Sequence, residues 1–128
     1  MIDEATNSWR ISKKAANLFA EVASFKNKTW NDGGTPIIMD KTAYMHILGR
    51  HNPDFFLGEV KKMQLFTKLK GKELVNTIDQ MIRDGGEDLR RIIRDGSGKL
   101  TRTIDDKEFV VGFKTENNSL RIGQFYEK

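Results

Sequence analysis

Leu100-Thr101-Arg102-Thr103-Ile104-Asp105-Asp106-Lys107-Glu108-Phe109-Val110-Val111-Gly112-Phe113-Lys114-Thr115-Glu116-Asn117-Asn118-Ser119-Leu120-Arg121-Ile122-Gly123-Gln124-Phe125-Tyr126 is the stretch in which apolar residues begin to recur at every second position. Residues 100–104, 109–113 and 120–126 read as three short strands, joined by polar turns at Asp105-Asp106-Lys107 and Glu116-Asn117-Asn118. Connections this short predict an antiparallel meander.

Upstream of Lys99 the period is helical. Ala15, Leu18, Phe19, Val22 and Ala23 mark one face of a helix over residues 12–25, with Ser12 placed to cap it. Asn31-Asp32-Gly33-Gly34 is a loop signal. Ile37-Ile38-Met39 leads, as a short strand or directly, into a helix that begins near Asp40 or Thr42. After Pro53, Phe55, Phe56 and Leu57 form an apolar anchor. The aromatic pair has two readings, core packing and base stacking, and the first is the commoner use. Leu74, Val75, Ile78, Met81 and Ile82 define a helix over residues 72–82; Gly85-Gly86 breaks it, and Leu89, Ile92 and Ile93 continue it until Asp95-Gly96-Ser97-Gly98. Helices first and a sheet last make an α+β fold, N-terminal helices packed on a C-terminal antiparallel meander. One domain over residues 1–128 is expected, with residues 1–40 as an entry segment and first helix, and residues 41–128 as the core.

The 128 residues suffice for one core without disulfides, and the chain has no cysteine. Thiol catalysis and Cys-based zinc sites are thereby excluded. No apolar run reaches the length of a membrane span, and no signal-peptide pattern precedes Asp3-Glu4-Ala5-Thr6-Asn7. That opening suits either a start or a fragment of a larger chain. The net charge is +4, but Lys41, Arg50, Lys61, Lys62, Lys68, Lys70 and Lys72 stand against only Asp54 and Glu59 in residues 41–72. A positive field focused there suits a polyanion.

The same tract contains His46-Ile47-Leu48-Gly49-Arg50-His51, which holds both histidines of the chain with an arginine between them. Histidine exchanges protons near neutrality, so two of them beside a permanent cation form a candidate acid, base and anion clamp. Tyr44, Ile47, Leu48 and His51 fall on one apolar stripe, and His46 shares the other face with Arg50. On an unbroken helix the two imidazoles diverge. Asn52-Pro53 supplies an end, since Pro53 disfavours helical backbone at Asn52, so His51 is expected in the last turn or just beyond it. In the last strand, Arg121, Gln124 and Tyr126 interrupt an otherwise apolar edge, and Gly123 permits close approach of a ligand.

Zinc hydrolysis does not fit two histidines five apart without a third, and no metal ligands or cofactors are assigned. There is no phosphate loop, no dinucleotide fingerprint and no nucleophile elbow. Cleavage of RNA without metal requires only what is present. A base deprotonates the 2′-hydroxyl, an acid protonates the departing 5′-oxygen, and cations stabilise the charge on phosphorus.

His46-Ile47-Leu48-Gly49-Arg50-His51-Asn52-Pro53, followed by Phe56, Gly58, Gln64-Leu65-Phe66 and the terminal Arg121-Ile122-Gly123-Gln124-Phe125-Tyr126, resembles the toxic C-terminal domains of bacterial polymorphic toxins. These include contact-dependent growth inhibition and Rhs-type effectors, and the nearest likeness is to EndoU-like ribonucleases within the group that joins barnase, EndoU, colicin and RelE toxins. The resemblance covers residues 44–126. It implies an endoribonuclease, often a tRNase, delivered into rival bacteria as part of a larger surface-displayed or secreted effector, acting in the target cytoplasm and held inactive in its maker by a cognate immunity protein. It implies acid and base roles for His46 and His51, phosphate contacts for Arg50 and Arg121, and a donor role for Tyr126. Gln124, Lys61, Lys62 and Lys68 complete the expected substrate surface. The lysine of the EndoU histidine-histidine-lysine set has no motif match, and Lys68 is assigned to it.

Overall fold

A computed structural model describes residues 4–32 and 34–128. The elements run α1 (Glu4–Ser24), β1 (Lys28–Asp32), β2 (Thr35–Met39), α2 (Lys41–His51), a 3₁₀ turn at Val60–Lys62, α3 (Gly71–Arg83), α4 (Gly86–Asp95), β3 (Ser97–Ile104), β4 (Lys107–Glu116) and β5 (Ser119–Glu127). The class is α+β, as the change of period predicts.

The C-terminal half follows its local chemistry. Asp105 and Asp106, and again Asn117 and Asn118, all adopt positive φ. Two consecutive left-handed residues make the tight hairpin turn whose twist suits the flanking strands, and Asp and Asn tolerate that conformation best after glycine. β3, β4 and β5 therefore pair antiparallel in succession.

The sheet is nonetheless mixed, and it has five strands in the order β1-β2-β5-β4-β3. The loop expected at Asn31-Asp32-Gly33-Gly34 is in part strand: β1 runs through Asn31 and Asp32, which pair antiparallel with Pro36 and Thr35 of β2, while Gly33 lies outside the described residues. β2 then lies parallel to β5 through Ile37↔Leu120 and Ile38↔Arg121. β5 is thus the central strand and not an edge. β1 was hidden in the sequence because Lys28-Thr29-Trp30-Asn31-Asp32 has one apolar residue, Trp30, which is buried.

One hydrophobic core joins α1 through Leu18 and Val22, α2 through Tyr44, Ile47 and Leu48, α3 through Leu74, Ile78 and Met81, and α4 through Leu89 and Ile92 to Leu100, Val111, Phe113, Leu120, Ile122 and Phe125 of the sheet. α1 begins eight residues before Ser12, which is therefore inside the helix; the Ser12 side chain lies outside the described residues. Phe19, expected on the inner face, is 62% exposed. Phe55 is buried in the core, as the packing reading has it, and Phe56 is half-buried.

α2 is fixed at both ends against β5. Asp40 caps its start by accepting a hydrogen bond from the Ala43 amide, and the Asp40 carboxylate also binds Arg121 near the start of β5. Asn52 ends the helix in extended backbone, as the following proline requires, so His51 is the last helical residue. From Asp40 to His51 the helix rises about 16 Å. From Arg121 to Tyr126 the strand advances about 16 Å as well. With Arg121 fastened at one end, His51 arrives opposite Tyr126 at the other.

Candidate active site

The His51 and Tyr126 rings stand 5.3 Å apart between centroids at a 43° tilt. Nδ1 of His51 lies 2.9 Å from the Leu65 carbonyl oxygen. A carbonyl only accepts, so Nδ1 carries the hydrogen and Nε2 is left with the lone pair. The Tyr126 hydroxyl accepts from the Lys99 ammonium at 3.2 Å, and the same ammonium lies 5.7 Å from the Tyr126 ring centroid.

Residues 65–69 are the frame that holds His51. Thr67 N–H donates to the His51 carbonyl at 2.7 Å, and Glu127 N–H donates to the Phe66 carbonyl at 3.0 Å, so the strip bridges the end of α2 to the end of β5. Asn52, wholly buried, donates through Nδ2 to the Leu69 carbonyl and accepts from the Asp54 amide through Oδ1. Thr67, also wholly buried, accepts from the Leu69 amide. Each buried polar group is thus satisfied inside the frame.

The placement of Gln124 and Tyr126 depends on an irregularity in β5. Gly112 pairs with Gln124 and Phe113 with Ile122, which leaves Gly123 as an extra residue. A bulge shifts the phase of alternation. Leu120, Ile122 and Phe125 consequently all enter the core, while Arg121, Gln124 and Tyr126 share the other face. Tyr126 is buried there beside its cross-strand partner Val110, outside the main core. The register Lys99↔Gly112↔Gln124 sets Lys99 and Gln124 across the bare backbone of Gly112. A groove of about 380 Å³ follows this line, walled by Gly98, Lys99, Gly112, Lys114, Gly123 and Gln124.

His51 is half-buried and its pKa is lowered from the ordinary 6.5. Burial is the main cause, and the charge of Arg50 adds to it; the bond to Leu65 opposes both. The imidazole is therefore neutral at physiological pH, the form that accepts a proton.

The other expected residues lie elsewhere. His46 and Arg50 are exposed on the opposite face of α2, and His46 makes no hydrogen bond or ring contact among the described residues. Arg121 does not meet the histidine: its guanidinium is held by Asp40 and by Glu116 at 2.9 Å, and these two carboxylates, Glu116 foremost, raise its pKa. These two ion pairs tie β5 to the N-terminal end of α2 and to Glu116 of β4. Lys61 and Lys62 are exposed in the 3₁₀ turn, with Lys62 paired to Glu59 at 3.3 Å. Lys68 is exposed on the frame strip and makes no ion pair among the described residues. The lysine beside the aromatic pair is Lys99. Its only mark in the sequence is its position one residue before the inward-facing Leu100, and the register of three strands is needed to bring it to Tyr126.

Among the described residues no three His, Asp or Glu side chains gather as a set of metal donors, and no helix is long and apolar enough to cross a membrane. No protein-family model, curated protein or solved structure matches this chain.

Proposed function

We propose that this protein is an endoribonuclease toxin domain that cuts RNA, with tRNA as its target, by attack of the 2′-hydroxyl on the adjacent phosphodiester. The observation that carries the reading is the His51 imidazole, held by the Leu65 carbonyl against Tyr126, whose hydroxyl meets the Lys99 ammonium. His51 Nε2 takes the 2′-hydroxyl proton as the 2′-oxygen bonds to phosphorus. The bond from phosphorus to the 5′-oxygen breaks, Tyr126 supplies the proton that oxygen needs, and Lys99 stabilises the negative charge on the phosphoryl oxygens. The products are a 2′,3′-cyclic phosphate and a 5′-hydroxyl. Solvent returns the proton to Tyr126 and removes the one on His51. In this scheme His46 is not required, and Arg50 acts through its field on His51.

The resemblance to polymorphic toxin domains supports delivery into a competing cell as part of a larger effector, with a cognate immunity protein as partner. Leu57, Val60, Leu65 and Phe66 are each at least 40% exposed along the segment that frames His51, an apolar surface that suits such a protein cover.

The test is incubation of the purified protein with total tRNA in EDTA. Fragments ending in 2′,3′-cyclic phosphate, lost in His51→Ala and retained in His46→Ala, support the reading. Binding without cleavage identifies an RNA-binding module instead, and cleavage of DNA that EDTA abolishes identifies a metal-dependent DNase.

A further inference from the structure

We infer that the groove beside Tyr126 is a slot for one unpaired nucleobase of the substrate, and that Gln124 reads that base. The inference rests on the ribonuclease reading above and adds a specificity determinant to it.

Three of the groove's walls are glycines, Gly98, Gly112 and Gly123, so much of its surface is bare backbone on the face of a sheet. A side chain at Gly112 would stand 3.1 Å from Gln124 Oε1 and 3.2 Å from Gln124 Cβ, so the glycine is what lets the glutamine lie over β4. A methyl at Gly123 would meet nothing within 4 Å and would project into the space of the groove. The Gln124 side chain is half-buried, and among the described residues its amide makes no hydrogen bond. An amide that is partly withdrawn from water and lacks a protein partner has one acceptor and two donor hydrogens available to a ligand.

The surface discriminates between the parts of a nucleotide. A phosphate gains little from a flat, largely apolar floor, whereas a base has a face that lies on such a floor. A base also has an edge of adjacent donors and acceptors that a carboxamide matches with two hydrogen bonds. Lys99 belongs to both places, because it lines the groove and donates to the Tyr126 hydroxyl. A base seated in the groove is thereby attached to a nucleotide whose phosphate reaches the catalytic pair. Lys114, exposed at the rim, has no ion-pair partner among the described residues and is placed to meet the neighbouring phosphate.

The experiment uses a pool of single-stranded RNA with randomised sequence and maps the ends that carry 2′,3′-cyclic phosphate. The wild type is expected to favour one base at one position beside the cut by about tenfold or more, the scale of a two-bond base contact. Gln124→Leu should flatten that preference to under about twofold while still leaving cyclic phosphate ends. Gly123→Val, which fills the slot without a clash inside the protein, should slow cutting after the favoured base by about tenfold with no change in thermal unfolding. Absence of any base preference in the wild type overturns the inference and leaves the nuclease intact. The slot is equally overturned if Gly123→Val cuts with wild-type rate and preference, a result that does not depend on how Gln124→Leu folds. A wild type that leaves all RNA uncut refutes the ribonuclease reading itself, and the slot with it.

Discussion

Replacing Asn52 by alanine tests the frame that delivers His51. The Asn52 side chain has no solvent exposure, and it makes two hydrogen bonds, to the Leu69 carbonyl at 3.1 Å and from the Asp54 amide at 2.9 Å. Each is worth about 1 kcal/mol net, and a carbonyl left buried without a donor adds about 1–3 kcal/mol. Asp54 is exposed, so its amide regains water and adds nothing beyond the lost bond. The sum is a destabilisation of about 3–5 kcal/mol, at or below the roughly 5–15 kcal/mol that holds a domain of this size together. The variant should therefore still fold, with a urea midpoint well below that of the wild type and Tm lower by about 10–20 °C. Asn52→Asp sharpens the test. It keeps the acceptor for Asp54 but turns an oxygen toward the Leu69 carbonyl, so it should be at least as damaging as alanine. Because Leu69 belongs to the strip whose Leu65 carbonyl orients the imidazole, RNA cleavage by the folded Asn52→Ala protein should also fall. Unfolding curves followed by tryptophan fluorescence supply the free energies. A loss under about 0.5 kcal/mol, with aspartate tolerated better than alanine, would refute the assignment of residues 65–69 as a frame fixed through Asn52.

Tyr126→Phe and Lys99→Met remove the hydroxyl and the ammonium from the site, and each should lower kcat for RNA cleavage by about 10² to 10⁴ with circular dichroism unchanged. The acid limb of kcat/KM should have its midpoint below 6.5, because burial and Arg50 lower the pKa of His51 and the neutral form is the base. Arg50→Gln should move that midpoint upward, toward 6.5. The same shift makes stability fall with acidity: the unfolded chain protonates this histidine first, so the contribution is complete above pH 6.5 and is lost as pH drops through the folded value. Arg121→Ala should cost about 1 kcal/mol in urea denaturation, as expected for a partly exposed ion-pair network. It should leave the salt dependence of RNA binding unchanged; a slope reduced by about one would mean that Arg121 holds a phosphate after all.

The contrast between Lys68 and Lys99 locates the boundary of what the chain reveals by itself. His51 was legible because its determinants are local: an apolar stripe that ends at it, and a proline two residues later that stops the helix. The β3-β4-β5 meander was legible for the same reason, since alternation and paired Asp or Asn turns act within a few residues. β2 beside β5 was not, because a parallel pairing across α2, α3, α4, β3 and β4 is decided by tertiary packing, and Ile37-Ile38-Met39 is equally compatible with a helix entry. The site inherits that division. Lys68 attracts notice because it lies among other lysines near His51 in sequence, whereas Lys99 reaches Tyr126 only through two strand registers and a bulge at Gly123. The bulge also decides Arg121 and Gln124. In a regular strand Gln124 and Tyr126 would share a face with Ile122, and the buried Ile122 would draw them into the core. The extra residue separates them, so the polar side chains that carry the proposed chemistry are kept on the face away from the main core by the same irregularity that lets Leu120, Ile122 and Phe125 all be buried. Deleting Gly123 would set Ile122 and Gln124 in direct succession, so Leu120, Ile122 and Phe125 would still alternate with Arg121, Gln124 and Tyr126; core and polar face should both survive, and only the local widening of β5 beside the groove should be lost.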